Sequence, residues 1–389
     1  MQEFAYFNPV RLVFGPGVFA EIGDHASDCG TNALLVTGRT AMRRSGILDR
    51  AVAHLMAAGL QVTVFDGVIP NPTDELIAEG ARIARKEGCD LIVGLGGGSA
   101  MDSAKAIAIA ASHDLPIAEF LKAEDKAAPT AATLPIICAT TTSGTSSELT
   151  PFAVVTVTAS KEKNAIGSDH IFPRVAICDP ELTLTCSPYV TATTGIDVFC
   201  HACEGYVSNV ATPLTDSFAE RAMELVGRTL PSAYADGDNL EHRYLMSLAG
   251  TFAGYELSQC GATVLHALEH PISAHYPDIA HGAGLATMLV PYAETFWPHD
   301  PAKFARIAEL LGAETDGLSV EEAARAAAPA IESLLQSVDL DITLSDLGVE
   351  REILPTLADD ALRYMTRGVD KMPCECGRDD LIALLEASH

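Results

Sequence analysis

Two stretches of this 389-residue chain hold the residue types that grip a metal ion. Asp197 and His201 stand four apart in GIDVFCHACEGY, and His266, His270 and His281 follow in HALEHPISAHYPDIAHG. Side chains four apart on a helix lie one above the other, so Asp197 and His201 share a face, as do His266 and His270. The threonines before Gly195 can cap the first helix, Pro271 should end or kink the second, and His281 opens a further apolar run, GAGLATMLVPYAETF. Together these elements offer one carboxylate and three imidazoles, a set suited to a divalent first-row metal. Cys200 and Cys203 make a CxxC beside His201. A redox pair would want that motif at a helix start after a strand. Inside a helix that aims Asp197 and His201 inward, both cysteines are expected to be packing residues.

The first half carries a different chemistry. LIVGLGGGS (91–99) is an apolar strand running into a glycine turn, and the helix AMDSAKAIAIAAS follows. Gly97 and Gly98 let backbone amides approach a pyrophosphate, the helix N-terminus adds partial positive charge, Ser99 can donate a hydrogen bond, and Asp102 sits in the first turn. This is not the six-residue GxGxxG fingerprint. TTTSGTSSE (140–148) adds a second hydroxyl-rich turn at a strand end, where open α/β sheets bind ligands. Two such turns in one sheet predict a dinucleotide site. The strand ALLVT (33–37) ends in Gly38 and Arg39. An acidic side chain there would bond the ribose hydroxyls and repel a 2′-phosphate, whereas Gly38 leaves room for the phosphate and Arg39 can pair with it. NADP(H) is therefore expected to serve at least as well as NAD(H).

The elements that must position these residues follow two patterns. Up to Pro180, strands alternate with helices: strands at 11–15, 33–37, 61–68, 91–96 and 134–140, with helical stretches at 46–58 and 73–87, which argues for a mainly parallel sheet covered on both faces. AVVTVTA (153–159) and VAICDP (175–180) read as two more strands, forming a hairpin across the sheet. Beyond Pro180 amphipathic helices dominate, for example 302–312 and 320–338. The expected architecture is an α/β, Rossmann-like dinucleotide-binding domain over 1–183 and an all-helical metal- and substrate-binding domain over 184–389, with an active-site cleft between them. Hydrophobic residues make up 48%, which excludes a disordered chain. The formal net charge of -27 opposes nucleic acid and anionic membranes. Ten cysteines without regular spacing make no disulfide framework, so a reducing cytoplasm is the expected setting. No leader pattern opens the sequence and no apolar run is long enough to span a bilayer.

FGPG (14–17), PNPTDE (70–75), GLGGGSAMDSAKA (94–106), TTTSGTSSE, DPEL (179–182), GIDVFCHACEGYVS (195–208) and HALEHPISAHYPDIAHG (266–282) occur in the order found in the iron-containing (group III) alcohol dehydrogenases, which the chain resembles. The resemblance implies that Asp197, His201, His266 and His281 ligate the metal, iron in that family, with zinc the alternative. It places His270 beside the nicotinamide and substrate as the side chain that relays the hydroxyl proton. Gly97, Gly98, Ser99 and Asp102 match the pyrophosphate turn, Thr141, Thr142 and Thr145 the second nucleotide turn, and Asn71 and Lys163 further cofactor contacts. The implied reaction is hydride transfer between NAD(P)(H) and a small alcohol or aldehyde, in a homo-oligomer that is a dimer by resemblance. Three features depart from the family. The His266–His281 spacing is one residue longer than is common, which makes His275 a competing ligand. Ser146 and Thr263 stand where glycine is common. Gly38 stands where NAD-preferring members often carry Asp. The rival readings are a polyol dehydrogenase or sugar-phosphate cyclase of the same architecture, or a nucleotide-binding protein with a vestigial site. A phosphorylated substrate needs several basic residues, and between 184 and 300 there are only Arg221, Arg228 and Arg243. The complete ligand set opposes a vestigial site.

Overall fold

Eight short runs become strands: β1 (Arg11–Phe14), β2 (Asn32–Gly38), β3 (Gln61–Val68), β4 (Leu91–Gly96), β5 (Ile136–Thr140), β6 (Phe152–Val157), β7 (Glu162–Gly167) and β8 (Val175–Cys178). They belong to a computed structural model that describes residues 2–122 and 125–389. Six strands form one parallel sheet in the order β1-β8-β5-β4-β2-β3. Alternate side chains sort to its two faces, as the two-residue period requires. Leu34, Val36, Ile92 and Cys138 pack with α4 (Asp74–Glu87) and α5 (Gly98–Ser112). Ala33, Leu35, Val93 and Ala139 pack with α1 (Ile22–Ser27), α2 (Ala41–Arg44) and α3 (Ile47–Ala57). β4 and β5 are buried along their whole length, as strands covered on both faces must be. The strand order reverses between β2 and β4. In open parallel sheets the crevice beyond the carboxyl ends at such a reversal is where ligands bind, and Gly38 and the GGGS turn stand at those two ends.

The expected hairpin is corrected. β8 lies inside the main sheet, parallel to both β1 and β5. The partner of β6 is β7, antiparallel in a separate two-stranded sheet. Its segment EKNAIG shows no strand pattern, because its polar start is buried by pairing and not by its own composition.

The chain divides into two compact units, Phe7–Thr185, and Met1–Tyr6 together with Cys186–His389. In the second, Gln2 Nε2 donates to Ala211 O and the Tyr6 ring lies 5.8 Å from that of Phe218, tilted by 55°. Its core is built by α6 (Pro188–Val207), α7 (Pro213–Ala235), α8 (Leu240–Cys260), α9 (Val264–His275), α10 (His281–Phe296) and shorter helices beyond. α6 starts earlier than expected. Ser187 is its cap, accepting from Val190 N with Pro188 in the first turn, so Thr191, Thr193 and Thr194 lie inside the helix and donate back to carbonyls one turn earlier. α9 runs through Pro271 to His275 and is not ended by it. The stretch 320–338 breaks into Val320–Arg325 and Ala327–Gln336, because Pro329 lacks an N–H and its ring crowds the carbonyl four residues back. Among the described residues, no helix is long and apolar enough to cross a membrane.

Candidate active site

α6 presents Asp197, His201 and Glu204 on one buried face, at successive spacings of one helical turn. α9 begins just after Thr263, whose side chain makes no cap bond of its own. Glu204 supplies that cap from the neighbouring helix. Its Oε1 accepts from Thr263 N (3.0 Å), Thr263 Oγ1 (2.9 Å), Leu265 N (2.8 Å) and His266 N (3.3 Å), and its Oε2 contacts His266 Nδ1. The His266 ring thereby stacks on His201, centroids 4.4 Å apart and 16° from parallel, with Nε2 3.4 Å from Asp197 Oδ1. His281 is the first residue of α10, and its Nε2 lies 3.6 Å from the same oxygen. Gly282 permits this: a Cβ there would fall 1.9 Å from the carbonyl oxygen of Thr193 on α6.

Ligand atoms of Asp197, His201 and His266 all lie within 4.8 Å of one another, and all three residues are buried. Asp197 Oδ1 and His266 Nε2 have no hydrogen-bond partner, an expensive state for buried polar atoms that a cation among them would relieve. Charge points the same way. Burial would raise the Asp197 carboxyl, yet His201, His266 and His281 hold it well below the usual range. Burial pushes the His201 imidazole down to about 4 against the pull of Asp197. Burial also opposes charge on His266, but Glu204 and Asp197 outweigh it and push that ring up to about 10. The buried carboxylates Asp197, Glu204 and Glu269 thus favour positive charge among the imidazoles, and a divalent ion would supply it in place of a proton. The residues present therefore fit a divalent metal.

His270, one turn beyond His266, is buried with its ring 6.0 Å from that of His281, outside the group of three. His275, at the end of α9, is held elsewhere: its Nε2 bonds Asp360 Oδ2 at 2.9 Å, and Asp360 also accepts from Arg363. Cys200 and Cys203 are wholly buried packing residues with thiols pushed up by burial, and all ten cysteines are present as thiols.

In the other unit the two predicted turns touch. Thr141 N donates to Gly96 O, and a Cβ on Gly98 would meet Thr145 Cγ2 at 2.4 Å. Gly97 precedes α5 without a side-chain cap, leaving the helix start open. Gly98→Ala should weaken NADPH binding about tenfold in a fluorescence titration, with metal content unchanged; unaltered affinity would remove this turn from the cofactor site. Ser146 takes the left-handed conformation at φ 51°, which explains why glycine suits that position. Asn71 is also left-handed, in the segment that reaches β6 through the Thr73–Thr156 bridge, and Thr156 pairs with Lys163 of β7, so the two further cofactor candidates lie on neighbouring segments.

The description "Iron-containing alcohol dehydrogenase" matches residues 9–180, and "Fe-containing alcohol dehydrogenase family, C-terminal" matches residues 191–389. The chain is similar to a 1,3-propanediol dehydrogenase of Citrobacter freundii, 39% identical over 364 residues and covering 93% of each chain. It is 34% identical over 357 residues to an NAD-dependent methanol dehydrogenase of Bacillus methanolicus, covering 92% of each. An archaeal halo-thermophilic alcohol dehydrogenase from a Red Sea brine pool, solved bound to NZQ, superposes with a TM-score of 0.97 at 37% identity, covering 100% of both chains. The chain belongs to the iron-containing alcohol dehydrogenase family. It is an oxidoreductase acting on CH–OH groups, in a family that uses NAD(P) and a divalent metal.

Within this member of the family, Asp102 links α5 to the threonine-rich turn. Its Oδ1 accepts from Ser147 Oγ (2.6 Å) and its Oδ2 from Val154 N (3.1 Å). Asp102 thus braces the threonine-rich turn against α5. Lys105, missed in the sequence, does the same work: wholly buried, its Nζ donates to the carbonyls of Ser147, Thr150 and Phe152 at 2.6–2.8 Å. The signal was the lone basic residue of a helix rich in alanine and isoleucine. Beside it, burial pushes Glu148 up to about 7. Glu204 and Glu269 were also missed; each is a carboxylate in a buried helix, three residues after a histidine.

Proposed function

We propose that Asp197, His201, His266 and His281 hold the divalent metal, Fe(II) by family membership or else Zn(II), and that the turns at 97–99 and 141–145, with Asn71 and Lys163, hold NAD(P)(H). The observation that carries this reading is the buried Asp197 Oδ1 facing imidazole nitrogens at 3.4–3.6 Å from three helices' worth of sequence. A divalent ion bound there polarises a carbonyl and lowers the pKa of a hydroxyl. Asp197 and the three histidines orient that ion, and His270 supplies or accepts the hydroxyl proton. The balance is an aldehyde plus NAD(P)H and a proton giving an alcohol and NAD(P)+, with hydride passing between the substrate carbon and C4 of the nicotinamide.

The substrate is a small alcohol or aldehyde, uncharged or singly charged. Arg221 and Arg228 are paired with Glu224, and Arg243 is buried, bonding Gly237 O, Cys186 O and Thr191 Oγ1, so none is left to gather a sugar phosphate. The similarity to 1,3-propanediol and methanol dehydrogenases supports the same class. The enzyme works as a homo-oligomer, a dimer by family membership, in the cytoplasm, where ten free thiols suit a reducing medium. The test is oxidation of NADPH and NADH by a panel of small aldehydes before and after metal stripping and reloading. Turnover that survives stripping overturns the metal reading.

NADP(H) serves at least as well as NAD(H). A Cβ on Gly38 would have only Val68 O near it, at 3.9 Å, so the strand end is open. Among the described residues, Arg39 is tied through Nε alone, to Gly67 O at 3.3 Å, while Arg43 is taken up by Asp66. Gly38→Asp adds charge without steric conflict and should shift kcat/KM toward NADH by about tenfold, roughly 1.4 kcal/mol. A wild type that already prefers NADH tenfold contradicts the argument, as does a variant with unchanged preference.

A further inference from the structure

We propose that Glu204 and Glu269 are positioning residues of the metal centre, each carried on one ligand-bearing helix and fixing the ring of the ligand on the next. This rests on the ligand set proposed above. Both carboxylates are wholly buried. Glu204 stands on α6 with Asp197 and His201, and its four-donor Oε1 locks the carboxylate in place while Oε2 meets His266 Nδ1 on α9. Glu269 stands on α9 with His266; its Oε1 accepts from Ser273 Oγ, and its Oε2 is in ion-pair contact with His281 Nδ1 at the head of α10. Occupying Nδ1 fixes the tautomer and leaves Nε2 for a metal, and in both rings Nε2 is the atom that faces Asp197. His201 is built differently. Its Nδ1 has no hydrogen-bond partner and meets no carboxylate, whereas His281 Nδ1, which makes no well-angled hydrogen bond either, is in ion-pair contact with Glu269; the His201 ring is placed by sharing α6 with Asp197 and by stacking on His266. Two of the three imidazoles are thus oriented by carboxylates in a series that runs from α6 to α9 to α10, a link that spacing within any one helix does not create.

The experiment titrates metal-stripped protein with Zn(II) against a competing chelator, and with Co(II) while its visible spectrum is recorded. Glu269→Gln keeps the size of the side chain and an oxygen for Ser273. It should bind Zn(II) about tenfold to a hundredfold more weakly and alter the Co(II) spectrum, with NADPH affinity and apo-protein thermal midpoint close to wild type. Glu204→Gln should weaken Zn(II) binding similarly and also lower the midpoint, because Glu204 caps α9. Wild-type Zn(II) affinity and Co(II) spectrum in Glu269→Gln overturn the proposal while leaving the ligand set intact. Wild-type protein that binds no metal, or His266→Ala that binds it normally, overturns the ligand set itself.

Discussion

His266→Ala is expected to lose its bound metal and at least about a thousandfold in kcat/KM, roughly 4 kcal/mol of transition-state stabilisation. His266 is the residue through which the cluster is joined. It faces Asp197, stacks on His201 and lies 5.1 Å, ring to ring, from His281. Truncation removes one donor and also takes from Glu204 the imidazole that balances its buried charge, a loss that typically destabilises. The fold should persist, because Glu204 Oε1 keeps its backbone and Thr263 donors at the start of α9. Metal content by elemental analysis, with circular dichroism as the control, checks this. His275→Ala should keep both metal and activity, since that ring is bound to Asp360. Retention by His266→Ala with loss in His275→Ala would move the centre into the longer loop.

The parts of the fold that could be read from the chain were those whose composition carries its own geometry. LIVGLGGGS announces a buried strand, a turn and a helix start, and β4 and α5 follow it within a residue or two. What failed was set by neighbours. VAIC is equally apolar in an edge hairpin or a central strand, and periodicity does not name a partner. EKNAIG becomes β7 only because β6 is there to pair with it. The start of α6 was misplaced for another reason: Ser187–Pro188 is a cap and first-turn signal that was outweighed by the threonines after it.

The same division runs through the site. Asp197 with His201, and His266 with His270, were legible because four-residue spacing alone puts each pair on one face. The proposed choice of His281 over His275 was not available from spacing. It depends on α9 continuing through Pro271, which sends His275 toward Asp360 and lets α10 begin at His281 against the Thr193 carbonyl. Glu204 and Glu269 gave no signal because a glutamate three residues after a histidine is commonplace on a solvated helix. Only burial and the meeting of three helices give these two a purpose. Asp102 carries a structural task that its motif does not announce: both its oxygens accept hydrogen bonds inside the fold.

His270→Asn is expected to lower kcat about a hundredfold, the lower end of what a positioned acid–base group contributes, while metal content stays at the wild-type level. His270 shares a helix face with His266, so its side chain serves the same buried region; like His281 it lies outside the group of three, but His281 Nε2 reaches Asp197 Oδ1 at 3.6 Å. In the proposed ligand set of Asp197, His201, His266 and His281 the donors reach four without His270, and proton transfer is the role proposed for this imidazole. Asparagine is close in size and keeps a polar group in a buried position, but it cannot carry a proton between substrate and solvent. The loss should therefore fall on kcat and spare KM, and in His270→Ala added imidazole should restore part of the rate. If metal disappears with the ring, His270 is a ligand and the relay is wrong. If kcat is unchanged with metal retained, the hydroxyl proton travels by another route.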